Sequence, residues 1–174
     1  AAGHGFMATS WSAQNTALFR ALRLERVVTF ITIGLIVFVA TIGGLVIEAW
    51  GTQTNLWFYY TRERPPLWIV PAWPIATLSI DRITRILNYF LPKRSGRQHK
   101  ILYWLVFVSF YGLMTHFVSP TLNKPYTLLA LALCALLVAT PTNHRYALLV
   151  FAAGAGLGYF LELWGTTREC WTYY

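Results

Sequence analysis

Long apolar stretches separated by short charged segments dominate the chain. Residues 27–47 form a run of 21 residues without a formal charge. A helix of that length, at 1.5 Å per residue, spans the roughly 30 Å hydrocarbon core of a bilayer. Four further largely apolar runs follow, and all of them are too long for strands. The pattern therefore predicts an all-α, polytopic membrane protein with five transmembrane helices, at about residues 27–49, 67–90, 101–118, 127–140 and 146–164.

The first 26 residues differ from the rest of the chain. Residues 1–6 precede Met7 and are interpreted as a tag. Residues 14–26 form a basic amphipathic segment, which would either lie along the membrane surface or extend the first helix. Residues 27–174 are predicted to form a single transmembrane domain.

The composition supports a membrane protein and changes how the charge is interpreted. Apolar residues make up 56% of the chain and charged residues only 11%, against about 25% in a soluble domain. In a soluble protein, the net charge of +8 would suggest a nucleic-acid partner. Here the basic residues lie in short loops and none has nucleic-acid-binding spacing, so we expect no nucleic-acid partner.

The distribution of Lys and Arg predicts the orientation. Ten of these residues fall on the side of the N-terminus and of the loop at 93–100, and four fall on the other side. Cytoplasmic loops are enriched in Lys and Arg. We therefore expect an integral protein of a bacterial inner membrane, with its N-terminus in the cytoplasm.

A repeated segment is the most informative feature. Residues 44–60 recur as residues 158–174, offset by 114 positions, with eight identities in 17 residues. The helices that carry the two copies would cross the membrane in the same direction and end at the non-cytoplasmic face, which makes this a parallel repeat. The first copy continues into the second helix, whereas the second stops at Tyr174. Either an ancestral chain continued into a sixth helix or the sequence is truncated, and truncation is the preferred interpretation.

Each copy carries an acidic residue at membrane depth, Glu48 or Glu162. Ionisable groups there are costly and usually mark function or pairing. Together with His116, near the outer end of the third helix, they are the candidate catalytic residues. The candidate substrate-binding residues are the surrounding aromatics: Trp50, Trp57, Tyr59, Tyr60, Trp68, Trp73, Trp164, Trp171 and Tyr173. An equally weighted alternative is structural, because Trp and Tyr also form interfacial belts.

Two carboxylates and one imidazole would also suit a metal ion, but no HxxxH or ExxH spacing is present, so we expect no metal and no cofactor. A second ionic feature, Asp81 with Arg85, has the i,i+4 spacing of a helical ion pair.

The first copy and the residues that follow it resemble the membrane-bound carotenoid biosynthesis family, which includes carotenoid hydratases. The resemblance covers about residues 44–74, with a partial echo at 158–174, and rests on Glu48-x-x-Gly51-x-x-Thr54, Tyr59-Tyr60-Thr61, Pro66-Leu67 and Val70-Pro71-Ala72-Trp73. It implies a helical membrane fold and addition of water to a terminal alkene. Glu48 or Glu162 would then donate the proton, and aromatic faces would stabilise the cation.

Three classes of function follow. The first is a protein that binds or modifies an isoprenoid, carotenoid or lipid near the non-cytoplasmic face. The second is a non-catalytic accessory or scaffold subunit, with membrane-protein partners or as a homo-oligomer. The third is a small transporter, which the paired glutamates permit but which no broken helix at the midplane supports.

Overall fold

The protein is predominantly helical. The computed structural model describes residues 10–92 and 96–173, so the tag interpretation of residues 1–6 concerns residues outside the described part. The helices are α1 (Trp11–Gln14), α2 (Thr16–Gln53), α3 (Ala72–Phe90), α4 (Gly96–Phe117), α5 (Pro125–Ala139) and α6 (His144–Thr167), with a 3-10 turn at Ser119–Thr121. Two short strands, β1 (Trp57–Tyr59) and β2 (Trp171–Tyr173), complete the described elements.

The basic N-terminal segment extends the first long helix. Helix α2 has 38 residues, about 57 Å at 1.5 Å per residue. Residues 16–26 contain no Gly or Pro and consist mainly of Leu, Arg and Ala, which are strong helix formers. Of the two alternatives for this segment, extension of the helix is confirmed from residue 16 onward.

Three helices, α2, α4 and α6, are long and apolar enough to cross a membrane. Helix α5 is apolar but has only 15 residues, about 22 Å. Helix α3 contains a charged turn in which Arg85 Nε donates to Asp81 Oδ2 at 2.8 Å, so the expected i,i+4 pair is present. The described residues therefore form a helical protein with three candidate membrane spans.

Helix α3 lies between α2 and α6 and packs against both, while α4 packs against α6 and α5. Small residues of α6 lie at its contact with α3. A Cβ added at Gly154 would lie 3.6 Å from Ile80 Cδ1, an ordinary van der Waals distance. Ala153, one residue earlier, is buried. This arrangement places the C-terminal ends of α2 and α6 next to the N-terminal end of α3.

The predicted start of the second helix was wrong. We expected it at about residue 67, whereas α3 begins at Ala72 with Pro71 as the N-cap. Residues 67–71 form turns instead. Pro71 explains the delay, because a proline disfavours helical backbone in the residue before it and lacks the N–H that would bond to the carbonyl of Leu67. Pro74 lies in the first turn of α3, where its missing N–H costs no hydrogen bond.

The two strands were not predicted. Strands β1 and β2 pair antiparallel, with Trp57 opposite Tyr173, Phe58 opposite Thr172 and Tyr59 opposite Trp171. Phe58 and Thr172 are 114 positions apart, the offset of the sequence repeat. The pairing joins the chain just after α2 to the chain just after α6, at the C-terminal ends of both helices.

Candidate functional site

Glu48 lies at the centre of a buried cluster of hydrogen-bond donors. Its side chain is only 3% exposed. Glu48 Oε2 accepts a hydrogen bond from the Tyr59 hydroxyl at 2.8 Å and from Trp57 Nε1 at 3.3 Å. Glu48 Oε1 accepts one from Trp73 Nε1 at 3.2 Å. Because indole N–H groups can only donate, both carboxylate oxygens act as acceptors.

The local fold explains how these donors reach one carboxylate. After α2 the chain reverses at Asn55, whose φ of 62° is left-handed. Trp57 and Tyr59 occupy alternate positions of β1 and therefore point to the same side. Gly51, one helical turn after Glu48, leaves room for an indole ring, since a Cβ there would overlap Trp57. The ring therefore lies flat on α2, with its N–H at the carboxylate.

The same geometry occurs at Glu162. Its Oε2 accepts hydrogen bonds from the Tyr173 hydroxyl at 2.7 Å and from Trp171 Nε1 at 3.0 Å. Glu169, the counterpart of Asn55, has a φ of 57°. A Cβ at Gly165 would overlap the Trp171 ring. Each glutamate is therefore held by the strand that follows its own helix.

Glu48 has a third hydrogen-bond donor that Glu162 lacks. Trp73, from α3, lies over Gly44, where a Cβ would overlap its ring, and donates to Glu48. The counterpart of Gly44 is Gly158, and a Cβ there would meet nothing within 4 Å. Among the described residues, only Trp171 and Tyr173 donate to the Glu162 carboxylate, which is exposed.

A cavity of about 340 Å³ lies between α2, α3 and α6, beneath the paired strands. Both glutamates line it, and so do the aromatic residues that hold them. Its remaining walls are apolar. The lining residues that carry the argument are Glu48, Glu162, Trp73, Gly158, Leu157 and Leu161. Small-molecule sites commonly have volumes of about 300–1,000 Å³, with apolar walls and a few polar groups.

The tyrosine hydroxyls in the site are held in their protonated form. Burial, followed by the charge of Glu48, raises the pKa of Tyr59 well above its ordinary value. Partial burial, followed by the hydrogen bond to Glu162, raises the pKa of Tyr173. The Glu48 charge also contributes at Tyr173, so the two carboxylate clusters act on each other electrostatically. Both hydroxyls therefore remain hydrogen-bond donors.

The cavity contains only part of the predicted aromatic set. Trp57, Tyr59, Trp73, Trp171 and Tyr173 line it. The others lie around it: Trp50 donates to Thr127 Oγ1 at 3.2 Å, Trp68 packs on Tyr59 and Tyr60, and Trp164 and Tyr60 are largely exposed. Tyr174, the counterpart of Tyr60, lies outside the described residues.

His116 does not join the glutamates at the cavity. It is an exposed residue in the last turn of α4 and is not part of the lining. Its neighbour Phe117 does contact Tyr173, with ring centroids 5.8 Å apart. Within residues 10–92 and 96–173, no three His, Cys, Asp or Glu side chains come together as metal ligands.

The residues that sequence reasoning missed are two glycines and the leucines of the cavity wall. Gly44 and Gly51 shape the Glu48 cluster because two indole rings occupy the space of their missing side chains. Both glycines are identities of the repeat, and that signal pointed to them. Leu157 and Leu161 form cavity wall, and nothing distinguishes them in sequence from leucines that face lipid.

Comparison of the chain with protein-family models, with curated proteins and with solved structures finds no match. The functional argument therefore rests on the site itself.

Proposed function

We propose that this protein is an integral membrane protein that binds a hydrophobic molecule, an isoprenoid, carotenoid or lipid, in the cavity beneath β1 and β2. One observation carries the proposal: an apolar cavity of about 340 Å³ is lined by two carboxylates, and none of the described residues contributes a cationic side chain to its lining. Such a site suits a long apolar molecule with one weakly polar end.

The proposed topology has five transmembrane segments, with α3 and α5 added to the three candidate spans. Helix α3 has 19 residues, about 28 Å, and packs between two of those spans. The excess of Lys and Arg on one side supports a cytoplasmic N-terminus in a bacterial inner membrane. The cavity would then open near the non-cytoplasmic face, within reach of molecules dissolved in the bilayer.

We also propose that residues 44–60 and 158–174 are copies of one structural unit. The sequence identities support this, and so do the hydrogen bonds from Trp and Tyr to the glutamate that precedes them by nine and eleven positions. In this proposal the paired strands relate the two copies, and each copy contributes one carboxylate to a shared cavity.

Acid-catalysed hydration of an alkene is the reaction that fits these groups. In its protonated form, a glutamate would transfer a proton to one alkene carbon, leaving a cation at the other. Water would add to the cation and return a proton to the carboxylate, so no redox cofactor is needed. Faces of Trp57, Trp73 and Trp171 would stabilise the cation. Glu162 is the better candidate acid because three donors already occupy Glu48.

Native mass spectrometry of the protein extracted in mild detergent tests the proposal. We expect an apolar small molecule at defined stoichiometry. Gly158→Leu, which fills the cavity, should remove it, and the matched variant Gly156→Leu should retain it, because Gly156 is exposed and outside the lining. Retention of the molecule by both variants, or its absence from the wild type, would refute the proposal.

A subunit of a larger membrane complex is the second candidate. Its support is Trp164, which is 60% exposed, whereas its counterpart Trp50 is covered by α5 and donates to Thr127. The same spectra distinguish the two functions, since a stoichiometric protein partner without a small molecule would favour the complex.

A further inference from the structure

The two glutamates, although equivalent in sequence, differ in how many donors they bind. Glu48 accepts three hydrogen bonds, two on Oε2 and one on Oε1. Glu162 accepts two, both on Oε2, from Trp171 and Tyr173. No other described residue donates to it, so its Oε1 is the one carboxylate oxygen of the cavity that lacks a donor.

The Glu48 cluster shows what a third donor requires. The Trp73 indole rests on Gly44 and places its N–H on Glu48 Oε1. A third donor therefore requires a flat apolar group that packs against a glycine and a hydrogen-bond donor that reaches the neighbouring carboxylate. Gly158 and Glu162 have the same spacing as Gly44 and Glu48, and both line the cavity. Open space adjoins Gly158 where the ring covers Gly44.

We infer that Glu162, and not Glu48, is the carboxylate that contacts the bound molecule, and that the molecule is an unsaturated apolar alcohol whose single hydroxyl donates to Glu162 Oε1 while its chain packs on Gly158. This inference rests on the proposed function and makes it more specific. It assigns Glu48 a positioning role, since it holds Trp57, Tyr59 and Trp73 in the cavity wall.

A hydroxyl fits this position better than an anionic head group. The described part of the chain places no Lys, Arg or His in the cavity lining, so a phosphate would meet two carboxylates without a counter-ion. One neutral donor satisfies the free oxygen, and the leucines of α6 accommodate the chain.

Competition between two probes tests the hydroxyl. Retinol, an isoprenoid alcohol, and retinyl methyl ether differ only in a methyl cap that removes the donor. The full-length protein in mild detergent is mixed with equal amounts of both, and native mass spectrometry gives the ratio bound. We expect retinol to be preferred about tenfold, the effect of one hydrogen bond to a charged acceptor.

Variants then test which side chain accepts the hydrogen bond from the probe's hydroxyl. Glu162→Gln should reduce the preference to less than about threefold, because a carboxamide binds the ether oxygen as well as the hydroxyl. The matched control Glu169→Gln, at an exposed position outside the cavity, should keep the preference. Gly158→Leu should prevent binding of both probes, and Gly156→Leu should not.

The outcomes separate this inference from the proposed function. Equal binding of the two probes by the wild type, abolished by Gly158→Leu, would overturn the hydroxyl assignment and leave the cavity as a binding site. A preference that survives Glu162→Gln would overturn the role of Glu162. Binding of neither probe would overturn the alcohol class, while the co-extracted molecule would still decide the proposed function.

Discussion

The asymmetry between the two carboxylate clusters predicts different costs for the same substitution. In Glu48→Gln, the carboxamide oxygen can replace Oε2 and accept from Tyr59 and Trp57, but its NH₂ then faces the Trp73 N–H. One charged hydrogen bond is lost, about 1.5–3 kcal/mol, and two become neutral, about 0.5–1 kcal/mol each. Because two of the three bonds are long, we take about 3 kcal/mol as the total.

Glu162→Gln should cost much less. Trp171 and Tyr173 both donate to Oε2, so the carboxamide oxygen can accept both and no donor is left unpaired. The site is exposed, and solvent therefore weakens the loss of charge. We expect less than about 1 kcal/mol.

Thermal unfolding in detergent measures the difference. At about 2–4 °C per kcal/mol for a chain of this size, Glu48→Gln should lower Tm by about 6–12 °C and Glu162→Gln by less than about 4 °C. Equal shifts in the two variants would refute the claim that the third donor distinguishes the clusters. A larger shift for Glu162→Gln would reverse the assignment of the positioning role.

Further measurements test other contacts. Gly44→Ala should destabilise by about 1–3 kcal/mol because its Cβ overlaps an indole, whereas Gly158→Ala should be neutral or stabilise by up to about 1 kcal/mol; chemical denaturation compares them. The pKa of Tyr59 and of Tyr173 is raised in the fold, so the unfolded state ionises first and stability should fall as pH rises above about 10. Tyr59→Phe should reduce that slope by about 1.4 kcal/mol per pH unit, and an unchanged slope would contradict it. Lys124→Met, which removes a 2.7 Å hydrogen bond to the backbone carbonyl of Thr54 at the C-cap of α2, should lower Tm by about 2–4 °C, and no change would show that the contact contributes nothing.

The sequence predicted the helical fold because long uncharged runs allow little else. Helix ends were less predictable. The residues before 27 carry charges, yet they continue α2, since a helix can extend beyond the membrane without losing backbone hydrogen bonds. Three-residue strands such as Trp57–Tyr59 are too short to show an alternating pattern, so they could not be predicted.

The candidate site was predictable to the extent that the repeat aligned residues. It indicated Glu48 and Glu162 together with the Trp and Tyr that follow each of them. The alignment contained no information on how the two copies face each other, and the antiparallel pairing of β1 with β2 decides which aromatics reach the cavity. His116 was grouped with the glutamates by depth alone, and equal depth does not determine which face of a helix a residue occupies.

The strand pairing also orders the events of biogenesis. All three donors to Glu48 lie within 25 residues of it, so that cluster can form as soon as α3 has packed beside α2. The second strand is synthesised more than a hundred residues later, after α4, α5 and α6. During synthesis β1 therefore has an unpaired edge and is held in place by its hydrogen bonds to Glu48. It then serves as the template on which β2 pairs and closes the cavity.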